Sequence, residues 1–132
     1  MSKWAKVQRD KSHLSIANEL RQRGFSVCDL AGVGDDVPDL LVANWQFASL
    51  VEVKEPSGAF DVTQLEYAST WKGNVMFAQN ADEIVEAFRV GKFLTLNDKD
   101  KIAEIALKVR ATSKAERPRL AVSKFAKLMQ VC

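Results

Sequence analysis

Two short apolar runs, residues 40–45 and 49–53, lie one turn apart, and each carries an acid near one end. The stretch that holds them, residues 37–64, constrains the fold more than any other part of the chain. Runs of this length and β-rich content read as strands, and Asn44-Trp45-Gln46-Phe47 between them reads as a hairpin turn. Asp39 opens the first strand, Glu52 lies near the close of the second, and Lys54 stands two places beyond Glu52. Side chains alternate faces along a strand, so Glu52 and Lys54 project together while Val51 and Val53 point the other way, into a core. A hairpin returns the end of its second strand to the start of its first, which sets Asp39 beside Glu52 and Lys54. Two carboxylates and an ammonium at one sheet end suit a hard divalent cation, which prefers oxygen ligands. Pro56 closes the second strand because it cannot extend a central ladder.

The flanking segments supply the rest of an α/β pattern. Ser12 is placed to cap a helix over residues 13–23, with Ile16 and Leu20 on one face and Gly24 as its stop. Glu19 on this helix can pair with Arg23 at i, i+4 spacing. His13, the only histidine, reads as a surface residue. Residues 25–30 form a first strand in which Cys28 reads as a small core residue. Residues 31–37 form a glycine-bearing turn whose Asp35 and Asp36 read as turn formers. Asp61 is placed to cap a helix over 62–72. Gln64 lies in its first turn, across one loop from Lys54, so its amide can return toward the two acids; the plain alternative is a surface glutamine. A strand over 75–79 and an amphipathic helix from Asn80 or Ala81 to Phe88 follow. Beyond Gly91 two further helices are expected, over 99–111 and 117–130, with a polar linker at 112–116 and Pro118 in the first turn of the second.

Charge is unevenly spread. Residues 1–24 hold six basic and two acidic side chains, a balance of +4. Residues 99–132 hold nine and three, a balance of +6. The centre holds four and twelve, a balance of −8, so the total of +2 hides two basic ends around an acidic middle. Such ends suit phosphate binding, where affinity comes largely from Lys and Arg. The candidates are Lys3, Lys6, Arg9, Lys11 and Arg21 on the first arm and Lys114, Arg117 and Arg119 on the second. Solvated helix faces are the bland alternative. No run approaches the ~20 apolar residues of a membrane helix. Two cysteines without a pairing motif argue against a disulfide framework or zinc site. The first residues lack the apolar segment of a secretion signal. The expected location is therefore the cytoplasm, that of the host if the chain is phage-encoded.

Pro38-Asp39 followed by Glu52-Val53-Lys54 resembles the PD-(D/E)XK nuclease superfamily. Gly34, Leu40, the Leu50–Lys54 strand and Gln64 are similar to the VRR-NUC branch, which is related to Holliday-junction resolvases. The resemblance covers residues 12–88. It implies a restriction-endonuclease-like mixed β-sheet core flanked by helices at 1–91, preceded by the basic arm. Residues 92–132 would be a basic helical extension packed on that core or on a partner protomer. It also implies Mg²⁺ or Mn²⁺ held by Asp39, Glu52 and the Val53 carbonyl, with Glu19 a further candidate ligand. Lys54 would position the attacking water or offset charge on the transition state, and Gln64 would contact that water or a phosphate. The expected activity is metal-dependent endonucleolytic cleavage of DNA, with branched DNA as substrate and a homodimer as the working form. Related expectations are cleavage of duplex, flap or RNA substrates, or a catalytically silent nucleic-acid-binding protein on the same fold.

Overall fold

The central strand β3 (Ala48–Val53) explains the layering, because it is covered on both faces. Leu50 and Glu52 face one side, and Ser49, Val51 and Val53 face the other. Its antiparallel partner is β2 (Leu40–Ala43), which pairs in turn with β1 (Ser26–Asp29); β5 (Val75–Ala78) lies parallel to β3 on its other edge. The four strands form one mixed sheet in the order β1-β2-β3-β5. The computed structural model describes residues 11–130.

Helices α1 (Lys11–Gln22) and α3 (Ala81–Val90) cover the face to which Leu40, Val42, Val51, Met76 and Ala78 point. There they bury Ala17, Leu20, Ile84 and Phe88. Asn80 caps α3 by accepting from the Glu83 N–H, and Gly91 ends it in the left-handed region at φ 70°. A β-carbon at Gly91 would lie 2.8 Å from the Phe47 ring, so glycine is required there for space as well as for conformation. The opposite face is covered by α2 (Val62–Thr70) and, behind it, α4 (Leu96–Thr112). Phe60, Leu65, Ile102, Leu120 and Phe125 form the second core, joined by Phe77 from the sheet. The architecture of the described residues is thus mixed α/β, with five helices, a four-stranded mixed sheet and a two-stranded sheet. None of these helices is long and apolar enough to cross a membrane.

The two-stranded sheet is a departure from the sequence reading. β4 (Ala59–Asp61) pairs antiparallel with β6 (Arg119–Ala121), in register Phe60↔Leu120. Residues 117–121 are therefore not helical, and the last helix, α5, begins at Val122 and runs to Gln130. Pro118 is not in a helical first turn. It is buried ahead of β6, and its carbonyl accepts from the Val62 N–H at 2.9 Å. The extension is thus a helix, a strand and a helix, and it packs on β4 and α2 of its own chain. α4 also starts earlier than expected, at Leu96, where Thr95 and Asp98 make a capping box. At the other end, α1 is already helical at Lys11, so Ser12 is an internal position and not a cap.

Two further residues sit differently from expectation. Cys28 is exposed on the edge strand β1 instead of joining a core. His13 is buried, only 4% exposed, with Nε2 3.3 Å from Asp29 Oδ1. It shares the inward stripe of α1 with Ala17 and Leu20, at the four- and three-residue spacing of one helix face.

Lys99 ties the two layers of the second core. Its ammonium donates to the Trp71 carbonyl at the end of α2 and to the Gly73 carbonyl at 2.7 Å. Burial pushes its pKa down, and the cation nonetheless satisfies the carbonyl of Trp71, the C-cap residue of α2, and that of Gly73 in the turn beyond. Lys99→Met keeps the aliphatic stem and removes the donors. Urea unfolding of that variant is expected to show a loss of about 1.5–3 kcal/mol, the range for hydrogen bonds to a charged group. An unchanged midpoint would mean that water replaces the ammonium at no cost.

Candidate active site

The register of the hairpin decides which acids meet. Leu40 pairs with Val51 across β2 and β3, and one further step sets Asp39 opposite Glu52. Directly opposed residues share a face and bring their side chains together. The Asp39 carboxylate also turns back on the ladder, where Oδ2 accepts from the Val53 N–H at 2.9 Å. On the other flank of β3, Glu52 registers with Phe77 of β5, so an aromatic ring walls the same face. Lys54 continues the β3–β5 pairing with its N–H on the Ala78 carbonyl at 2.9 Å. Its ammonium lies 3.8 Å from Glu52 Oε2 and 5.9 Å from the Phe60 ring centroid.

Gln64 completes the group from α2. Asp61 is the N-cap residue of that helix, and its N–H donates to Gln64 Oε1 at 2.9 Å. That contact fixes the amide: the oxygen must face a donor, so Nε2 faces the sheet and donates to Glu52 Oε2 at 3.1 Å. The helix cap and the sheet acid are thus joined through one side chain.

Glu52 is only 3% exposed. Burial, with the neighbouring Asp39 charge second, pushes its carboxyl up to about 8, against an opposing pull from Lys54. A carboxylate in that position is short of positive charge: one ammonium faces two acids. Oxygen donors, burial and a carboxyl that ionises only when a cation replaces its proton together fit a hard divalent cation. Among the described residues no group of three or more His, Cys, Asp or Glu side chains forms a ready ligand shell. Asp39 and Glu52 are a pair, and Mg²⁺ commonly completes such a pair with backbone oxygen, water and substrate phosphate.

The structure therefore brings together Asp39, Glu52, Lys54 and Gln64. Val53 is at the site too, through its N–H on Asp39. Glu19 is not brought there by any contact of its own. It is exposed on α1 and paired with Arg23 at 3.2 Å, while Arg23 also holds Asp82 at 2.8 Å. Of the basic candidates, Lys3, Lys6 and Arg9 lie outside the described residues, as does the side chain of Lys11. Arg21 donates to Asn18 and to the Val27 carbonyl, and Lys114 is exposed between α4 and β6. Arg117 and Arg119 have more specific positions. Arg117 contacts Asp36, three residues before Asp39, and Thr63, next to Gln64, at 3.2 Å. Arg119 lies 3.3 Å from Asp61. Sequence reading missed these partners because they depend on the β4–β6 pairing. A groove of about 910 Å³ along α4 and α5, lined in part by Lys101, Ile105, Lys124 and Leu128, shares no lining residue with the acid pair. No family model, curated protein or solved structure matches this chain, so the functional reading rests on geometry and sequence motif.

Proposed function

We propose that this chain is a metal-dependent endonuclease with a restriction-endonuclease-like core, related to the PD-(D/E)XK superfamily through its VRR-NUC and resolvase-like branch. The observation that carries the reading is the convergence of Asp39, Glu52, Lys54 and Gln64 from three separate elements onto one sheet end. The order of helix, three antiparallel strands, helix and parallel strand supports the same reading. Asp39 and Glu52 would hold Mg²⁺ or Mn²⁺, with the Val53 carbonyl as a further oxygen. The bound ion would supply Lewis acidity toward a phosphodiester and acidify water. Lys54, fixed by the β3–β5 pairing, places positive charge where the phosphoryl oxygens gain negative charge. Gln64 keeps the Glu52 carboxylate oriented and can pass a hydrogen bond onward. The basic residues flanking the acidic centre fit DNA as the substrate, branched DNA in particular, and a homodimer would present two such sites to symmetric strands.

The test is cleavage of end-labelled four-way junction, flap, duplex and single-stranded DNA with Mg²⁺, Mn²⁺ or EDTA. Paired cuts in the junction that vanish in EDTA are the expected result. Cutting of plain duplex, of flaps or of RNA would keep the chemistry and change the substrate. Binding without cutting under either metal would sink the proposal and leave a silent nucleic-acid-binding protein.

A further inference from the structure

The segment Arg117-Pro118-Arg119 lies against both parts of the chain that deliver the acid site, held by backbone hydrogen bonds and by the buried Pro118 and Leu120 side chains. The Pro118 carbonyl accepts from the Val62 N–H at 2.9 Å, the Val122 N–H donates to the Gly58 carbonyl at 3.0 Å, and Arg119 registers with Asp61 in the β4–β6 ladder. The two guanidinium groups lie outside this backbone ladder. They are more than half exposed, at 56% and 64% of their side chains, and each is engaged by one carboxylate, Asp36 and Asp61 respectively. Asp36 precedes Asp39 by three residues, and Thr63, which also receives Arg117, precedes Gln64 by one. Arg117 thus bridges the loop that leads to Asp39 and the first turn that carries Gln64. From Arg119 a chain of contacts runs through Asp61 and Gln64 to Glu52.

We propose that Arg117 and Arg119 bind the phosphates of the nucleic acid, and that Asp36 and Asp61 are intramolecular stand-ins which those phosphates displace. The proposal rests on reading the Asp39–Glu52 centre as a phosphodiesterase, and it adds where the substrate backbone runs and what guards that track. Exchange of partners is chemically reasonable. Exposed ion pairs contribute little, whereas the planar guanidinium fork matches a phosphate with two parallel hydrogen bonds. The exchange leaves the strand in place, because no backbone bond of the segment is broken. In the absence of nucleic acid the acids neutralise the arginines, so stray anions gain less from binding there.

The test is fluorescence anisotropy of a labelled duplex of about 30 base pairs in EDTA, with NaCl varied from about 50 to 250 mM. Asp36→Asn suits the test because asparagine tolerates the left-handed conformation that residue 36 adopts at φ 60°. Removing this competing charge is expected to tighten binding by about two- to five-fold, the scale of an exposed ion pair. Arg117→Ala is expected to weaken binding and to lower the slope of log K against log [salt] by about one. Arg119→Ala is expected to do the same. A merely structural Arg117 predicts otherwise: Asp36→Asn and Arg117→Ala would both lower the melting midpoint, and neither would change the slope. Unchanged or weaker binding by Asp36→Asn overturns the proposal, as does a wild-type chain that fails to bind the duplex. Because the assay contains no metal, it is separable from cleavage. Opposite effects of the two substitutions without any cutting would fault the metal centre, and intact cutting without those effects would fault this assignment.

Discussion

Metal-free protein is expected to lose stability as the pH rises from about 5 to about 8, and Glu52→Gln is expected to abolish most of that loss. The folded-state pKa of Glu52 is raised from 4.5 to about 8. Between those values the folded chain keeps a proton that the unfolded chain has released. The contribution of Glu52 to stability is then greatest below about 4.5, falls through the window, and levels off above about 8. At about 1.4 kcal/mol per unit, the fall is on the order of 3–5 kcal/mol, a large share of what a domain of this size has. Glutamine keeps an oxygen for the Gln64 amide and carries no proton to lose, so the variant should match wild type in acid and exceed it at pH 8. Urea unfolding of both proteins at three pH values measures this. Mn²⁺ is expected to restore wild-type stability at pH 8, where Glu52 can ionise toward it, and to leave the variant unmoved. Parallel pH curves for the two proteins would show that Glu52 is hydrated in the folded state.

The second large effect is expected in single-turnover cleavage. Asp39→Asn and Glu52→Gln each remove half of the carboxylate pair, and each is expected to lower the rate by at least about a thousand-fold. Lys54→Ala should cost about a hundred- to a thousand-fold, the cost of losing one preorganised positive group in an active site. Gln64→Ala should cost about ten- to a hundred-fold, because Gln64 acts on Glu52 and leaves both carboxylates in place. Lys54→Ala carries a separate signature. Its ammonium lowers the Glu52 pKa, so its removal should extend the loss of stability to higher pH while it slows cleavage. Melting curves near wild type at pH 5 would establish that the variants are folded. Cleavage retained by Glu52→Gln would remove the acid pair from the chemistry.

The acid pair was legible because it depends on local rules. Alternation along β3 put Glu52 and Lys54 on one face, and a hairpin of that length left one register in which Asp39 comes opposite Glu52. The Asp61 cap and the position of Gln64 in the first turn of α2 follow from residues within a few places of each other. What stayed hidden depends on distant parts of the chain. Ala59–Asp61 is too short to declare itself as a strand, and its partner lies far along the chain at Arg119–Ala121. Without that pairing, Pro118 reads as a helix start and the arginines beside it read as a charged helix face. His13 was misplaced for a different reason. Its burial follows from its place on the inward stripe of α1 with Ala17 and Leu20, and the contact with Asp29 at the end of β1 gives the ring a polar partner there, whereas polarity alone favours the surface. Cys28 shows the converse, since a small apolar residue on an edge strand can face outward when its neighbour Val27 takes the inner side. The capping box of Thr95 and Asp98 was available to sequence reading, and it would have placed the start of α4 correctly.

The pairing of β4 with β6 has a consequence for how the protein is made. A chain emerging from the ribosome presents Asp39, Glu52, Lys54 and Gln64 long before Leu120 follows to meet Phe60. Until then the loop that carries Gly58 lacks its hydrogen bond from Val122, and the first turn of α2 lacks the Pro118 carbonyl. Closure over so long a separation is slow relative to local helix and hairpin formation. The Gly58 loop and the first turn of α2, which carries Gln64, are therefore completed only when β6 is in place, and a nascent or prematurely ended chain holds the Asp39–Glu52 hairpin without that part of its frame.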